Sequence, residues 1–84
     1  MGYSTMAINF DLNDLLSFRA VAELSSFRKA AESLHLSQPA FSRRIDKLEQ
    51  ALGVRLLERT TRRVTLTAVG RDFERKVREL LDDL

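Results

Sequence analysis

Two short helical patterns joined by a tight corner occupy residues 26–53. Ser26 can cap the first, in which apolar residues recur at helical spacing and two adjacent alanines permit the close approach of another helix. Ser37 can cap the second, where Pro39 suits the first turn and Gly53 the end. Two capped helices with so short a connection predict a helix-turn-helix.

The second helix of this pair combines an apolar face with a polar one. Its apolar positions follow helical spacing at Phe41, Ile45, Leu48 and Leu52. The opposite face carries polar and charged side chains that are not suited to the protein's own core. When such a helix docks in a DNA major groove, the residues nearest its amino terminus enter the groove furthest. The predicted base-reading residues are Gln38, Pro39, Ser42 and Arg43.

These four side chains suit the edges of base pairs. Arg43 can pair with guanine O6 and N7, and Gln38 with adenine N6 and N7. Pro39 offers an apolar contact to a thymine methyl group, and Ser42 can reach a base edge or a phosphate. For any one of them alone, an ordinary solvated helix face is the alternative, but the preceding helix and the basic surroundings favour DNA.

Two short segments with strand propensity, residues 54–57 and 64–66, flank a polar run and predict a small hairpin, or wing. Arg62 and Arg63 fall at its tip, where either can enter a minor groove or touch phosphates. Positive charge is concentrated around these elements although the whole chain carries only +2, which indicates one surface for a polyanion. The other candidates for wing or phosphate contact are Arg28, Lys29, Ser37, Arg44, Lys47 and Arg59.

For some of these arginines there is a simpler interpretation than DNA contact. Arg59 can pair with Glu58 or with a helix end instead of a phosphate. Arg62 and Arg63 can be ordinary surface arginines.

Helical patterns flank this unit on both sides. Residues 11–24 carry an apolar surface wider than one stripe, so we expect other elements to cover this helix on two sides. Thr67 can cap a final helix whose apolar stripe is longer than a small winged domain needs. This stripe predicts pairing with a second copy of the chain, and packing on the first helix alone is the alternative. The predicted dimerisation residues are Phe73, Val77, Leu80, Leu81 and Leu84.

Composition narrows the function classes. The 84 residues, 44% of them hydrophobic and 31% charged, predict one globular domain. The absence of cysteine excludes disulfides and thiolate metal sites and favours a cytoplasmic protein. No signal peptide or spanning segment is found in the sequence, so we expect no membrane partner. His35, the one histidine, is expected in a turn rather than at a metal, and nothing assembles an active site, so we predict no enzyme and no cofactor.

Four motifs, in order, resemble the N-terminal DNA-binding domain of LysR-type transcriptional regulators. They are Ala30-Ala31-Glu-Ser-Leu34-His-Leu-Ser37-Gln38-Pro39-Ala-Phe-Ser42, Leu48-Glu49-Gln-Ala-Leu52-Gly53, Leu56-Leu57-Glu-Arg59-Thr60 and Leu66-Thr67-Ala-Val-Gly70. The resemblance covers residues 11–84. It implies a mainly α fold, a winged helix-turn-helix of three helices plus a small β-hairpin, followed by a long C-terminal linker helix.

The resemblance also implies how such a domain acts. The linker helix pairs with its twofold mate, so that a dimer presents two recognition helices to an interrupted inverted repeat. Residues matching Gln38, Pro39, Ser42 and Arg43 face the major groove, and the one matching Arg62 lies in the wing. Members of the family continue into an effector-binding domain, so we expect no small-molecule ligand within these residues.

Two positions depart from the family pattern. Leu57 stands where an aromatic residue is common, and Phe41 stands where a smaller apolar residue is usual. We expect both to be exchanges within the core.

We therefore predict a flexible leader at residues 1–10, a winged helix-turn-helix DNA-binding domain at 11–66, and a linker and dimerisation helix at 67–84. The predicted function is sequence-specific binding of double-stranded DNA by a bacterial transcription regulator acting as a homodimer. The alternative is a winged-helix module for protein contacts, in which the basic surface meets an acidic partner.

Overall fold

The computed structural model describes residues 10–60 and 63–83, which form four helices and one antiparallel hairpin. In chain order the elements are α1 (Leu12–Leu24), α2 (Phe27–Ser33), α3 (Gln38–Leu52), β1 (Leu57–Arg59), β2 (Val64–Leu66) and α4 (Ala68–Asp82). This order confirms the predicted fold class, a helix-turn-helix with a wing and a C-terminal helix. The predicted leader, apart from Phe10, lies outside the described residues.

Side-chain caps explain where the helices begin. Asp11 and Asp14 form a reciprocal capping box at α1, in which each carboxylate accepts the other residue's backbone N–H at 3.1 Å. The hydroxyls of Ser26, Ser37 and Thr67 each accept from the backbone N–H three residues further on. The caps predicted at these three residues are confirmed.

Left-handed backbone conformations make the sharp ends of the helices. His35 has φ 59° in the corner between α2 and α3, and Gly53 has φ 73° where α3 ends. The corner is closed by the N–H of Leu36, which donates to the carbonyl of Ala31 at 2.9 Å. The prediction that His35 lies in the turn is therefore confirmed.

The core lies where α1 packs against α2, α3 and α4. Phe18 of α1 contacts Phe73 of α4 at a ring-centroid distance of 5.4 Å, and Phe27 of α2 meets Phe41 of α3 edge-on at 5.3 Å. The apolar face of α3 is buried at Phe41, Ile45 and Leu48, and partly buried at Leu52. Since Leu57 is also buried, both departures from the family pattern lie in the core, as expected.

The apolar surface of α1 is covered only in part. Leu15, Phe18 and Val21 are buried, whereas Leu12, Leu16 and Leu24 remain exposed. The predicted covering of this helix on two sides is therefore incomplete among the described residues.

The first strand of the wing both begins and ends later than predicted, at Leu57–Arg59 rather than 54–57. The register of the wing pairs Leu57 with Leu66 and Arg59 with Val64, and hydrogen bonds between Thr60 and Arg63 close it. Residues 54–56 are not part of the strand, because the N–H of Leu56 donates to Glu49 rather than to a neighbouring strand. Arg62 lies outside the described residues.

Candidate nucleic-acid interface

The first half of α3 presents the predicted base-reading residues at the surface. Gln38, Pro39 and Arg43 are exposed and Ser42 is half-buried. The same helix is fixed from behind, because Phe41 and Ile45 have no exposed surface at all. Burial of two large apolar side chains holds the helix in one rotation about its axis, so the polar side points outward.

Several cations around this face carry no internal ion pair. Within residues 10–60 and 63–83, Arg43, Arg44 and Lys29 have no acidic partner, and the same holds for Arg63 at the wing. Their charge is therefore not neutralised by the described part of the chain. A surface of this kind attracts a polyanion.

Lys47 is used differently. Its Nζ lies 3.0 Å from Oδ2 of Asp14, whose side chain is 2% exposed, while the Lys47 side chain is 46% exposed. A buried carboxylate without a cation or hydrogen-bond donors is costly, so Lys47 stabilises the start of α1 and ties α3 to it. Helical periodicity does not reveal this contact, because the partners belong to different helices. The only signal for Asp14 was its position three residues after Asp11, which indicates a local capping box.

Arg59 is held by α3 and α2. Its Nη2 lies 3.3 Å from Oδ1 of Asp46 and 3.8 Å from Oε1 of Glu49, and its guanidinium carbon stands 4.6 Å above the ring centroid of Phe27. The structure therefore shows Arg59 in an internal ion pair rather than free for a phosphate. Its partners are acids in the second half of α3 rather than Glu58.

Arg28 also has an acidic neighbour, Glu32, at 3.3 Å on α2. Both side chains are well exposed, and an exposed pair of this kind contributes less than about 1 kcal/mol. Arg28 can therefore exchange this partner for a phosphate at little cost.

The wing and α3 share one continuous surface. A shallow depression between them is lined by residues of α2, the amino end of α3 and both ends of the wing turn, including Phe27, Arg28, Gln38, Arg59 and Arg63. Ser37, which caps α3, is also exposed. Of the predicted contacts, the structure thus brings Arg28 and Gln38 to the same depression as Arg59 and Arg63.

The predicted dimerisation residues divide into two groups. Val77 and Leu81 are buried and Phe73 is partly buried, all three against the chain's own core. Leu80, by contrast, is 53% exposed beside an open apolar groove lined by Phe10, Leu15, Phe73, Lys76, Val77 and Leu80. Leu84 lies outside the described residues.

The described part of the chain holds neither a cluster of metal-binding side chains nor a helix that could span a membrane. No three His, Asp or Glu side chains come together there to hold a metal ion. In residues 10–60 and 63–83, no helix has the length and apolarity needed to cross a bilayer.

Comparison with known proteins gives a consistent result. Residues 12–71 match the family described as bacterial regulatory helix-turn-helix protein, lysR family. One relative, the SDS degradation transcriptional activation protein of Pseudomonas sp. (strain ATCC 19151), is 53% identical over 72 residues, which are 86% of this chain and 24% of that protein. The chain spans about a quarter of the length of the curated relatives it matches.

Solved structures resemble the chain over most of its length. The BenM DNA-binding domain in complex with benA site 1 DNA has a TM-score of 0.84 and 43% identity, covering 88% of this chain and 83% of that one. The CbnR DNA-binding domain in complex with DNA has a TM-score of 0.83 and 42% identity, covering 87% and 84%.

Proposed function

The chain belongs to the lysR family of bacterial regulatory helix-turn-helix proteins, and we propose that it binds double-stranded DNA sequence-specifically as the DNA-binding domain of a transcription regulator. The observation that carries this proposal is the first half of α3. Its apolar side is buried in the core, whereas Gln38, Pro39 and Arg43 are exposed, and Arg43 has no acidic partner among residues 10–60 and 63–83. The two DNA complexes of similar domains support the same function.

In the proposed complex, α3 lies in the major groove. Arg43 and Gln38 read base edges there, Pro39 makes an apolar contact, and Ser42, being half-buried, reaches a nearby base edge or phosphate. The wing lies at the adjacent minor groove or backbone, where Arg63 and Arg62 contribute positive charge.

Phosphate contacts surround this core of base readers. Lys29 and Arg44 have no acidic partner among the described residues, and Ser37 is exposed at the amino end of α3. Arg28 can release Glu32 to join them. Lys47 and Arg59 are weaker candidates, because each already holds a carboxylate within the chain.

We further propose that residues 11–66 are the DNA-binding unit and that residues 67–84 form the dimerisation helix of a homodimer. The open groove beside Leu80 supports this, since an exposed leucine next to an apolar groove favours burial by another helix. Such a dimer would present two α3 helices to an interrupted inverted repeat. The protein acts in the cytoplasm and is not an enzyme.

The first test measures base reading. Sequences bound by the chain are selected from random DNA, and affinities for the selected site and for unrelated DNA are then titrated over a salt series. We expect a steep fall of log affinity with log salt. Arg43→Ala should cost about 1 to 3 kcal/mol on the selected site and far less on unrelated DNA.

Arg19→Ala is the matched control, because it removes the same charge from α1, where Arg19 pairs with Glu23 at 3.5 Å. Equal losses for Arg43→Ala on both DNAs would refute base reading. A weak salt dependence, together with tighter binding to an acidic polypeptide than to DNA, would favour the protein-contact alternative.

The second test concerns the homodimer. Leu80→Asp should convert dimer to monomer in sedimentation, because it puts a charge into the apolar groove, whereas Val69→Asp, at another exposed apolar position of α4, should not. Val77 is unsuitable for this test because it is buried in the chain's own core. An unchanged dimer for Leu80→Asp would reject the proposed interface.

A further inference from the structure

We propose that Glu49 is a positioning residue, which fixes the wing against α3 so that Arg63 of the wing meets the DNA backbone or minor groove. Glu49 lies in the second half of α3, and it is not among the predicted DNA contacts. The part of this inference that concerns DNA rests on the proposed function, whereas the part that concerns the free protein does not.

The Glu49 carboxylate binds the beginning of the wing directly. Its Oε2 accepts hydrogen bonds from two successive backbone N–H groups, that of Leu56 at 2.8 Å and that of Leu57 at 3.2 Å. The side chain is 11% exposed, so water competes poorly for these bonds. Hydrogen bonds to a charged group in such a place are stronger than ordinary ones.

Among residues 10–60 and 63–83, the N–H of Leu57 finds its acceptor on α3. Bonded and non-bonded pairs alternate along an antiparallel ladder, and the bonds from Thr60 to Arg63 and from Thr67 to Leu56 identify the bonded pairs. The N–H of Leu57 therefore points away from β2. Glu49 satisfies it in place of a third strand.

The same stretch of backbone is held from its other side by the start of α4. The carbonyl of Leu56 accepts from the N–H of Thr67 at 3.0 Å, and the carbonyl of Arg55 accepts from the Thr67 hydroxyl at 2.7 Å. Gly70 packs so closely that a Cβ there would overlap the Leu56 carbonyl oxygen. The segment entering the wing is thus clamped between α3 and α4.

Glu49 also reaches the far end of β1 through Arg59, whose Nη2 lies 3.8 Å from Oε1 of Glu49. One carboxylate therefore contacts both ends of a strand of three residues. A two-stranded ribbon this short is barely stable alone, so these contacts decide how its described strands lie against α3.

An acidic residue is otherwise a poor choice at this place. A carboxylate on the recognition helix repels DNA phosphates and weakens binding unless its charge is balanced. Here Arg59 lies close enough to offset the negative charge of Glu49, and the amides of Leu56 and Leu57 donate hydrogen bonds to its carboxylate. The local need for a strong acceptor explains why an acid is placed beside a basic surface.

The free protein provides a test that does not involve DNA. Amide hydrogen exchange of Leu56 and Leu57 is measured by NMR in the wild type, in Glu49→Leu, which removes the acceptor, and in Glu49→Gln, which keeps a carbonyl oxygen but no charge. We expect about tenfold or faster exchange at both amides in Glu49→Leu, and a smaller increase in Glu49→Gln. Glu58→Gln, an exposed glutamate of β1, is the matched control and should change neither amide.

A double-mutant cycle tests the consequence for DNA. Arg63→Ala and Arg43→Ala are each introduced into the wild type, Glu49→Gln and Glu49→Leu, and binding to the selected site is measured. If Glu49 positions the wing, Arg63→Ala should weaken DNA binding severalfold in the wild-type background. In the Glu49→Leu background the same substitution should weaken binding by less than about twofold. Arg43→Ala should cost the same factor in all three, since α3 is held by the core.

The outcomes separate the two proposals. Unchanged exchange at Leu56 and Leu57 in Glu49→Leu overturns the clamp, and so does an equal cost of Arg63→Ala in every background. If Arg63→Ala has no effect in the wild type, the wing contact of the proposed function fails and the positioning role for DNA fails with it, whereas the exchange data still report on the clamp. Should Glu49→Leu not fold, Glu49→Gln supplies both measurements.

Discussion

The two halves of α3 use their charged residues in opposite ways. In the first half, Arg43 and Arg44 have no acidic partner within the described residues. In the second half, Asp46 pairs with Arg59, Lys47 pairs with Asp14, and Glu49 binds the backbone entering the wing. The first half is therefore free for a ligand, and the second half holds the domain together.

This difference shows that basic residues on one helix face are not equivalent. A wheel drawn from the sequence places Arg43 and Lys47 together opposite the apolar stripe, one turn apart. A cation that neutralises a buried carboxylate contributes to stability, and one without a partner contributes charge to the surface. Substitutions in the two halves should therefore affect different measured quantities.

The largest effect on stability is expected for Lys47→Met. This substitution leaves the Asp14 carboxylate buried without its cation. Because Lys47 is itself half exposed, the loss in free energy of unfolding should be smaller than for most buried ion pairs, about 2 to 3 kcal/mol. Urea unfolding measures the change as a lower midpoint at an unchanged slope.

Two variants serve as controls for this measurement. Arg44→Met removes a cation that has no acidic partner among the described residues, and it should change the free energy of unfolding by less than about 0.5 kcal/mol. Adding Asp14→Asn to Lys47→Met should recover much of the loss, because a neutral amide is cheaper to bury than a carboxylate. Equal stability of the Lys47 and Arg44 variants would remove the distinction between the two halves.

A smaller loss, about 1 kcal/mol, is expected for Arg59→Met. It removes two partly exposed ion pairs and the contact over the Phe27 ring, each of which contributes a fraction of this amount. Thermal unfolding measures it against Arg55→Met, a neighbouring exposed arginine without an ion pair in the described chain. A loss for Arg55→Met as large as that for Arg59→Met would show that internal pairing does not separate the two arginines.

Features set by local sequence were predictable. The caps at Ser26, Ser37 and Thr67, the end of α3 at Gly53 and the buried face from Phe41 to Leu48 depend on residues within one or two helical turns. The same spacing placed Arg43 and Gln38 on the outer side of α3. Strand propensity on both sides of a polar run predicted the wing, and the order of four motifs indicated the family.

Contacts between elements distant in the chain were not predictable. Nothing in the spacing of charges joins Lys47 to Asp14 or Arg59 to Asp46, because those pairs depend on how α1, α3 and β1 pack. The first strand began later than its composition suggested, because Glu49 takes the Leu56 amide that would have extended the ladder. Likewise, the apolar stripe of α4 did not reveal that Val77 faces the chain's own core while Leu80 faces solvent.

Lys29→Gln and Arg44→Gln are expected to have the smallest effect on stability and the clearest effect on the salt dependence of DNA binding. Neither cation has an acidic partner among residues 10–60 and 63–83, so each substitution should leave the free energy of unfolding within about 0.5 kcal/mol of the wild type. If each contacts one phosphate, the slope of log affinity against log salt should become shallower by about 1 for each substitution, equally on selected and unrelated DNA. Lys47→Gln, measured in parallel below its unfolding transition, should leave that slope nearly unchanged. A drop in slope for Lys47→Gln as large as for Arg44→Gln would mean that Lys47 leaves Asp14 for a phosphate when DNA binds.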